Sequence, residues 1–294
     1  MKILIVGSTG LLGSDCKEVF SRDHELMTPG RKELDIISWD GVIENLQNLA
    51  PEVVINCAGF NQVDACETEE FKVSKINVEG PRNLAQCATR YECRLVHISS
   101  DYVFDGQKML PQPYFEDDFP NPISRYGKSK KDSEIAVRDN SPNYIIVRTS
   151  WLYGLHGNCF IKWLIGSALS KKKEAIRLVE DQFGSPTWSY RVAMQINELL
   201  EKDCRGTYHA TAEGYCNFVE YGTYVLDRLG LKAEVVPCKM EQLNRPAKRP
   251  ANCLLENRRL KKQGINFMVD WKADVDTFLD TWGDNLIKEA EEKK

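Results

Sequence analysis

No apolar run in this sequence approaches the roughly 20 residues of a membrane-spanning helix, and the apolar stretch at 3–7 is too short for a signal peptide. A soluble, cytoplasmic protein with no membrane partner is expected. Basic residues do not dominate either: 39 Lys and Arg stand against 43 Asp and Glu, for a net charge of −4, and no stripe of one sign runs along the chain. Nucleic acid is therefore not an expected partner. The Lys171-Lys172-Lys173 run reads as a solvated helix end. Histidine is scarce, at four residues, and the ten cysteines include no C-x-x-C pair. That spacing excludes the usual zinc frameworks, so no metal ligands are assigned and the cysteines read as buried free thiols. Internal repeats and low-complexity linkers are missing too.

What is present is a chain of 294 residues, 42% hydrophobic and 28% charged, enough for one large domain carrying a smaller lobe. Short apolar runs at 2–6, 25–28, 52–57, 94–98 and 144–148 read as strands. Helical patterns at 11–21, 39–49, 69–90 and 126–137 separate them. Strands alternating with helices predict right-handed crossovers and a doubly wound parallel α/β sheet. A long loop, 101–124, interrupts this order, and loops of that length are usually functional. Beyond Trp151 the pattern is less regular, with helices at 160–169, 190–201, 218–229 and from 275, and a strand at 176–179. The expected division is a nucleotide-binding domain over 1–150 and a mainly substrate-binding, mixed α/β lobe over 151–294, packed on the sheet's open edge with some elements returning to the first domain.

Gly7-Ser8-Thr9-Gly10-Leu11-Leu12-Gly13 joins the first strand to the first helix. Glycines there permit a tight turn and close approach of phosphates, which the helix N-terminus then stabilises, so this is a dinucleotide loop of Rossmann type. After the second strand an acidic residue would accept from the ribose of NAD, yet the chain has Pro29-Gly30-Arg31-Lys32. A guanidinium would pair with a 2′-phosphate, so NADPH is favoured, with NADH left open. Asp35 and Ile36 are placed near the adenine.

Tyr126 and Lys130 are four residues apart at a helix start, which stacks phenol and ammonium on one face. The ammonium favours the phenolate, so the pair suits proton transfer to a carbonyl oxygen, and Ser100, just past the fourth strand, can hydrogen-bond that oxygen. Ser100, Tyr126 and Lys130 are the catalytic candidates.

With these residues in this order the chain resembles the extended short-chain dehydrogenase/reductases. Within them, Ile98-Ser99-Ser100-Asp101-Tyr102-Val103-Phe104-Asp105-Gly106 looks like the signature of the dTDP-4-dehydrorhamnose reductase family. The resemblance implies reduction of the 4-keto group of a nucleotide-linked 6-deoxy sugar. Asn56-Cys57-Ala58-Gly59-Phe60-Asn61-Gln62-Val63-Asp64 is similar to the segment which that family runs along cofactor and substrate. By the same resemblance Cys57, Ala58, Gly59 and Ser99 face the cofactor, and Asn61, Val63, Asp101 and Tyr102 face the substrate. Asn77 matches an asparagine that supports the lysine and borders the cofactor site. Trp151 resembles a tryptophan that contacts the sugar, Gln182 lies in a substrate-side loop, and Arg249, in Arg249-Pro250, resembles an arginine near the diphosphate.

Phe60, Asn61 and Cys253 depart from the family's usual residues, which touches the choice of sugar and base and not the reaction type. Some relatives dimerise through Mg²⁺ held by carboxylates, but no residues here match that site, and both monomer and homodimer stay open. Two alternatives remain: an NADP-binding, non-catalytic regulator like the regulatory subunit of methionine adenosyltransferase, and a sugar-nucleotide epimerase or dehydratase using the same Tyr and Lys with a retained NAD.

Overall fold

The structure is a computed structural model that describes residues 1–171 and 174–292. Lys172 and Lys173 of the lysine run, and the final Lys293 and Lys294, lie outside the described residues.

The first part runs β1 (Lys2–Val6), α1 (Leu11–Phe20), β2 (Glu25–Met27), α2 (Trp39–Leu49), β3 (Val53–Asn56), α3 (Glu70–Ser74), α4 (Gly80–Arg90), β4 (Arg94–Ser100), α5 (Arg125–Asn140) and β5 (Tyr144–Thr149). The helical stretch expected over 69–90 is not one uniform helix, because a π-helical turn at Lys75–Glu79 separates α3 from α4. The second part runs β6 (Leu152–Tyr153), α6 (Phe160–Ala168), β7 (Ile176–Val179), β8 (Phe183–Gly184), β9 (Thr187–Trp188), α7 (Ser189–Glu201), β10 (Gly206–His209), β11 (Cys216–Asn217), α8 (Phe218–Leu229), β12 (Val235–Cys238), α9 (Arg258–Lys262) and α10 (Trp271–Glu292). Helix α6 stops at Ala168, so Lys171, the described residue of the lysine run, lies beyond its end.

Six parallel strands form the main sheet in the order β10-β5-β4-β3-β1-β2. Alternation along β1 explains its two covered faces: Ile3 and Ile5 pack with Cys16 and Phe20 of α1 and Val192 and Ile196 of α7, whereas Leu4 and Val6 pack with Leu46 of α2 and Leu84 of α4. Each such side chain contributes about 1.5–3 kcal/mol on burial. A separate core unites α6, α8 and α10 around Tyr153, Leu164, Tyr221, Trp271 and Phe278.

The second half does more than pack on the open edge of the sheet. Its strand β10 pairs in parallel with β5 and becomes that edge, and α7 covers the same face as α1. The sheet order reverses between β1 and β3, where crossovers leave in opposite directions and the carboxyl ends of both strands border a crevice. All ten cysteines are free thiols, and most are buried. Among the described residues no helix is long and apolar enough to cross a membrane.

Candidate active site

A cleft of about 870 Å³ opens at this reversal point. Its floor is the turn after β1. Gly7 has φ +77°, and a Cβ there would lie 2.7 Å from the Ala58 nitrogen; a Cβ on Gly13 would lie 2.1 Å from the Gly7 carbonyl oxygen. Glycine is thus required for the turn and for the seating of α1 against it. Thr9, Gly10, Leu11 and Leu12 line the cleft, and among the described residues no side chain caps the α1 N-terminus at Gly10. The first amide N–H groups of α1 are left for an anion.

Arg31 lines the wall beyond β2, exposed and, among the described residues, without a carboxylate partner, in a loop tied by the Gly30 N–H to Glu33 Oε2 at 2.6 Å. Asp35 and Ile36 follow on the same wall, the latter buried with its carbonyl accepting from Asn83 Nδ2 at 3.0 Å. After β3, residues Cys57, Ala58, Gly59, Asn61 and Val63 form the opposite wall.

Strand β4 carries Ser99 and Ser100 to the cleft, and Ser124 caps α5 by accepting from the Gly127 N–H at 3.1 Å, so that Tyr126 and Lys130 enter on successive turns. Lys130 Nζ donates to the Ile98 carbonyl at 2.6 Å, which anchors α5 to the end of β4. Burial pushes this ammonium down to about 8, against the raising influence of Glu134. Tyr126 stands edge-on to Tyr102, with ring centroids 5.5 Å apart. Burial, followed by the charge of Asp101, pushes its phenol well above the ordinary value, while the Ser100 hydroxyl pulls the other way. Burial is thus the largest influence on this phenol, and it favours the protonated form.

Ser100 Oγ donates to Asp101 Oδ1 at 2.8 Å and accepts from the Tyr102 N–H at 3.2 Å. Burial pushes Asp101 up to about 6. Ser99 Oγ turns from the cleft to Glu134 Oε1 at 2.6 Å. Glu134 is fully buried and also accepts from Arg148 Nε at 2.8 Å and Nη2 at 2.7 Å. Burial alone would push its carboxyl up, but the Arg148 guanidinium holds it below the usual carboxylate range. This buried pair lies directly behind the site and joins β4, β5 and α5.

Asn77 is not among the residues that line the cleft. It is buried off the cleft wall, donates to Ser129 Oγ and to the Phe60 carbonyl, both at 3.0 Å, and accepts from the Phe60 N–H at 2.7 Å. It braces the 57–63 wall against α5. The π-helical turn that presents it is a local irregularity of the kind often found near sites.

From the second half, Trp151 and Gln182 line the cleft. Trp151 has φ +46°, a conformation uncommon outside glycine, and its ring stacks on Phe218 with centroids 3.9 Å apart. Gln182 Nε2 donates to Cys253 Sγ at 3.7 Å, so the unusual cysteine backs this wall of the cleft. Arg249 also lines the cleft, yet its guanidinium is bound to Asp64, at 2.7 Å between Nη2 and Oδ2. Sequence reasoning missed Phe218, Asn158, Lys72 and Arg245, which share the wall. Arg245 alone had a readable signal, since Arg245-Pro246 precedes Arg249-Pro250 as a second copy of the same dipeptide. Among the described residues no group of three or more His, Cys, Asp or Glu side chains could hold a metal ion, so Mg²⁺ gains no support.

A floor of glycine turn and open helix end, with Ser100, Tyr126 and Lys130 at one cleft, invites comparison with known proteins. The family described as RmlD substrate binding domain matches residues 1–283. The chain belongs to that family. It is 34% identical to the spore coat polysaccharide biosynthesis protein SpsK of Bacillus subtilis, over 90% of this chain and 92% of that protein. The crystal structure of a dTDP-4-dehydrorhamnose reductase from Clostridium acetobutylicum superposes with a TM-score of 0.92 at 36% identity, covering 96% of this chain and all (100%) of that one. That of a dTDP-4-dehydrorhamnose reductase from Bacillus anthracis in complex with NADP superposes with a TM-score of 0.91 at 33% identity, covering 95% and 99%. Likeness over these shares of both chains extends RmlD-family membership to both halves of the molecule.

Proposed function

We propose that this protein is an NADPH-dependent reductase of a nucleotide-linked 4-keto-6-deoxy sugar, converting dTDP-4-dehydrorhamnose to dTDP-L-rhamnose. The observation that carries the reading is the convergence of Ser100, Tyr126 and Lys130 on the same cleft as the Gly7–Gly13 turn. The names of the solved RmlD-family relatives, one of them bound to NADP, support the substrate and the cofactor. Residues 1–150 hold the cofactor in this reading, and 151–294 mainly the sugar nucleotide.

The chain's own groups fit the cofactor. The close approach of Gly7 and Gly13 and the uncapped α1 suit a pyrophosphate, and Arg31, free of carboxylates, suits a 2′-phosphate. When bound, NADPH supplies the hydride. Tyr126, which burial keeps protonated, gives its proton to the carbonyl oxygen as negative charge develops there. Ser100, swinging its proton away from Asp101 Oδ1, hydrogen-bonds that oxygen, and Lys130 supplies a positive charge and returns a proton to Tyr126. Trp151 and Gln182 form the sugar's wall.

The deciding experiment follows NADPH loss with dTDP-4-dehydrorhamnose in the wild type and in Tyr126→Phe. The variant keeps the ring and deletes the transferable proton, so turnover should fall by about 100- to 10,000-fold while NADPH still binds. A phenylalanine variant that reduces the keto sugar at the normal rate would overturn the mechanism. A wild type without any turnover would favour a regulator.

A further inference from the structure

Two arginines at the cleft differ in how their charge is used. Arg249 Nη1 and Nη2 donate to Asp64 Oδ1 and Oδ2 at 3.0 and 2.7 Å, and Nη1 also donates to the Ala247 carbonyl at 2.9 Å. The Ala247 N–H adds a bond to Asp64 Oδ1 at 3.1 Å. One carboxylate from the loop after β3 thus fastens segment 247–249 to the cleft wall. Hydrogen bonding from Arg249 holds Asp64 below the usual carboxylate range, so the pair stays ionised and its net charge is zero.

Arg245 is four residues earlier, on the same wall, and exposed. Among the described residues no carboxylate lies within ion-pair distance of it. Its guanidinium is lowered from the ordinary value by desolvation and then by the neighbouring Arg249, and it feels the groups of Asp64 and Tyr102. The other cations of the cleft are already engaged or lie elsewhere. Lys72 is paired with Glu69 at 2.7 Å, Lys130 is bonded to Ile98, and Arg31 stands beyond β2 at the other end.

We infer that Arg245 supplies the net positive charge that meets the diphosphate of a nucleoside diphosphate ligand, while Arg249 and Asp64 act as a strut that positions the segment bearing it. This rests on the sugar-nucleotide reading above. A diphosphate gains little from a guanidinium already neutralised by a carboxylate at 2.7 Å, and much from an unpaired one that presents its fork. Arg249 keeps its Nε–H for a contact, but the charge comes from Arg245.

The test measures dTDP and thymidine binding calorimetrically to the full chain saturated with NADP⁺, at several salt concentrations. Arg245→Ala should weaken dTDP by roughly ten- to a hundredfold, flatten its salt dependence, and leave thymidine and NADPH affinity unchanged. Arg245→Lys should restore the salt dependence and part of the affinity. Asp64→Asn, which frees the Arg249 charge, should steepen the salt dependence, and Asp64→Asn combined with Arg249→Ala, which removes both charges of the strut, should lower thermal stability while keeping it. An Arg245→Ala protein that binds dTDP with wild-type affinity and salt dependence overturns the inference and leaves the reductase reading standing. A wild type that binds dTDP no better than thymidine sinks both.

Discussion

Lys130 is held at the C-terminal end of β4 by the Ile98 carbonyl, and its burial makes its charge sensitive to mild alkali. Its proton is lost above about 8, while Tyr126 stays protonated far beyond that point, so the two groups of the relay separate on the alkaline side. The ammonium is present at low pH and absent at high pH, which fixes the sign: kcat is expected to decline as pH rises through about 8. A kcat profile that stays flat well into alkali would show that the ammonium is not needed. At the other end of the cleft, Arg31→Ala removes one charge-assisted pair. NADPH binding should weaken by about ten- to a hundredfold, with NADH nearly unchanged, as read by titration of each cofactor. Equal losses would place Arg31 among ordinary surface charges. These residues were legible because a glycine turn, a Tyr-Lys pair and a basic loop each carry chemistry in their spacing. The partners of Asn77 and Arg249 were not legible, because spacing brings a residue to a neighbourhood without saying which partner it takes. Asn77 took the Phe60 backbone and Ser129, and Arg249 took Asp64.

Strands β1, β3, β4 and β5 were legible as elements because burial on both faces demands continuous apolar runs such as Val53-Val54-Ile55. Strand β10 was not, since Gly206-Thr207-Tyr208-His209 has no such run and is recruited by the exposed edge of β5. The π-helical turn before α4 likewise has no pattern of its own. Helix α5 shows how one element serves chemistry and stability together, for Lys130 reaches the site while Glu134, one turn on, binds Arg148 of β5 and Ser99 of β4. Removing one partner of such a buried pair leaves the other uncompensated, so Arg148→Met should destabilise by about 3–5 kcal/mol in denaturant titration. Glu134→Leu combined with Arg148→Met should recover most of that loss. Because Glu134 raises the Lys130 value, the double variant should also shift the alkaline limb of kcat to lower pH. A double variant no more stable than the single one, with an unmoved limb, would show that neither coupling operates.

At the scale of the molecule, the proposed division of ligand roles near residue 150 does not coincide with a division of the fold. The face of β1, β3, β4 and β5 that α1 covers is completed by Val192, Ile196 and Leu199 of α7, and Asp15 of α1 is bonded to Ser189 at the start of α7. A fragment of residues 1–150 would therefore expose one apolar face and the hydrogen-bonding edge of β5. It is expected to lack a cooperative unfolding transition in thermal or denaturant titration, whereas the whole chain shows one. Cooperative unfolding of the isolated fragment would instead make it an autonomous domain.

The pairing of β10 with β5 also sets a clock. A ribosome completes β5 at Thr149 but does not reach Gly206 until roughly 3 to 11 s later, at ~5–20 residues per second. Through that interval the growing chain carries a bare strand edge able to template pairing with a neighbour on the same messenger. Slowing translation between those two positions with synonymous rare codons should raise the aggregated fraction in proportion to the delay, without changing the melting temperature of the finished protein.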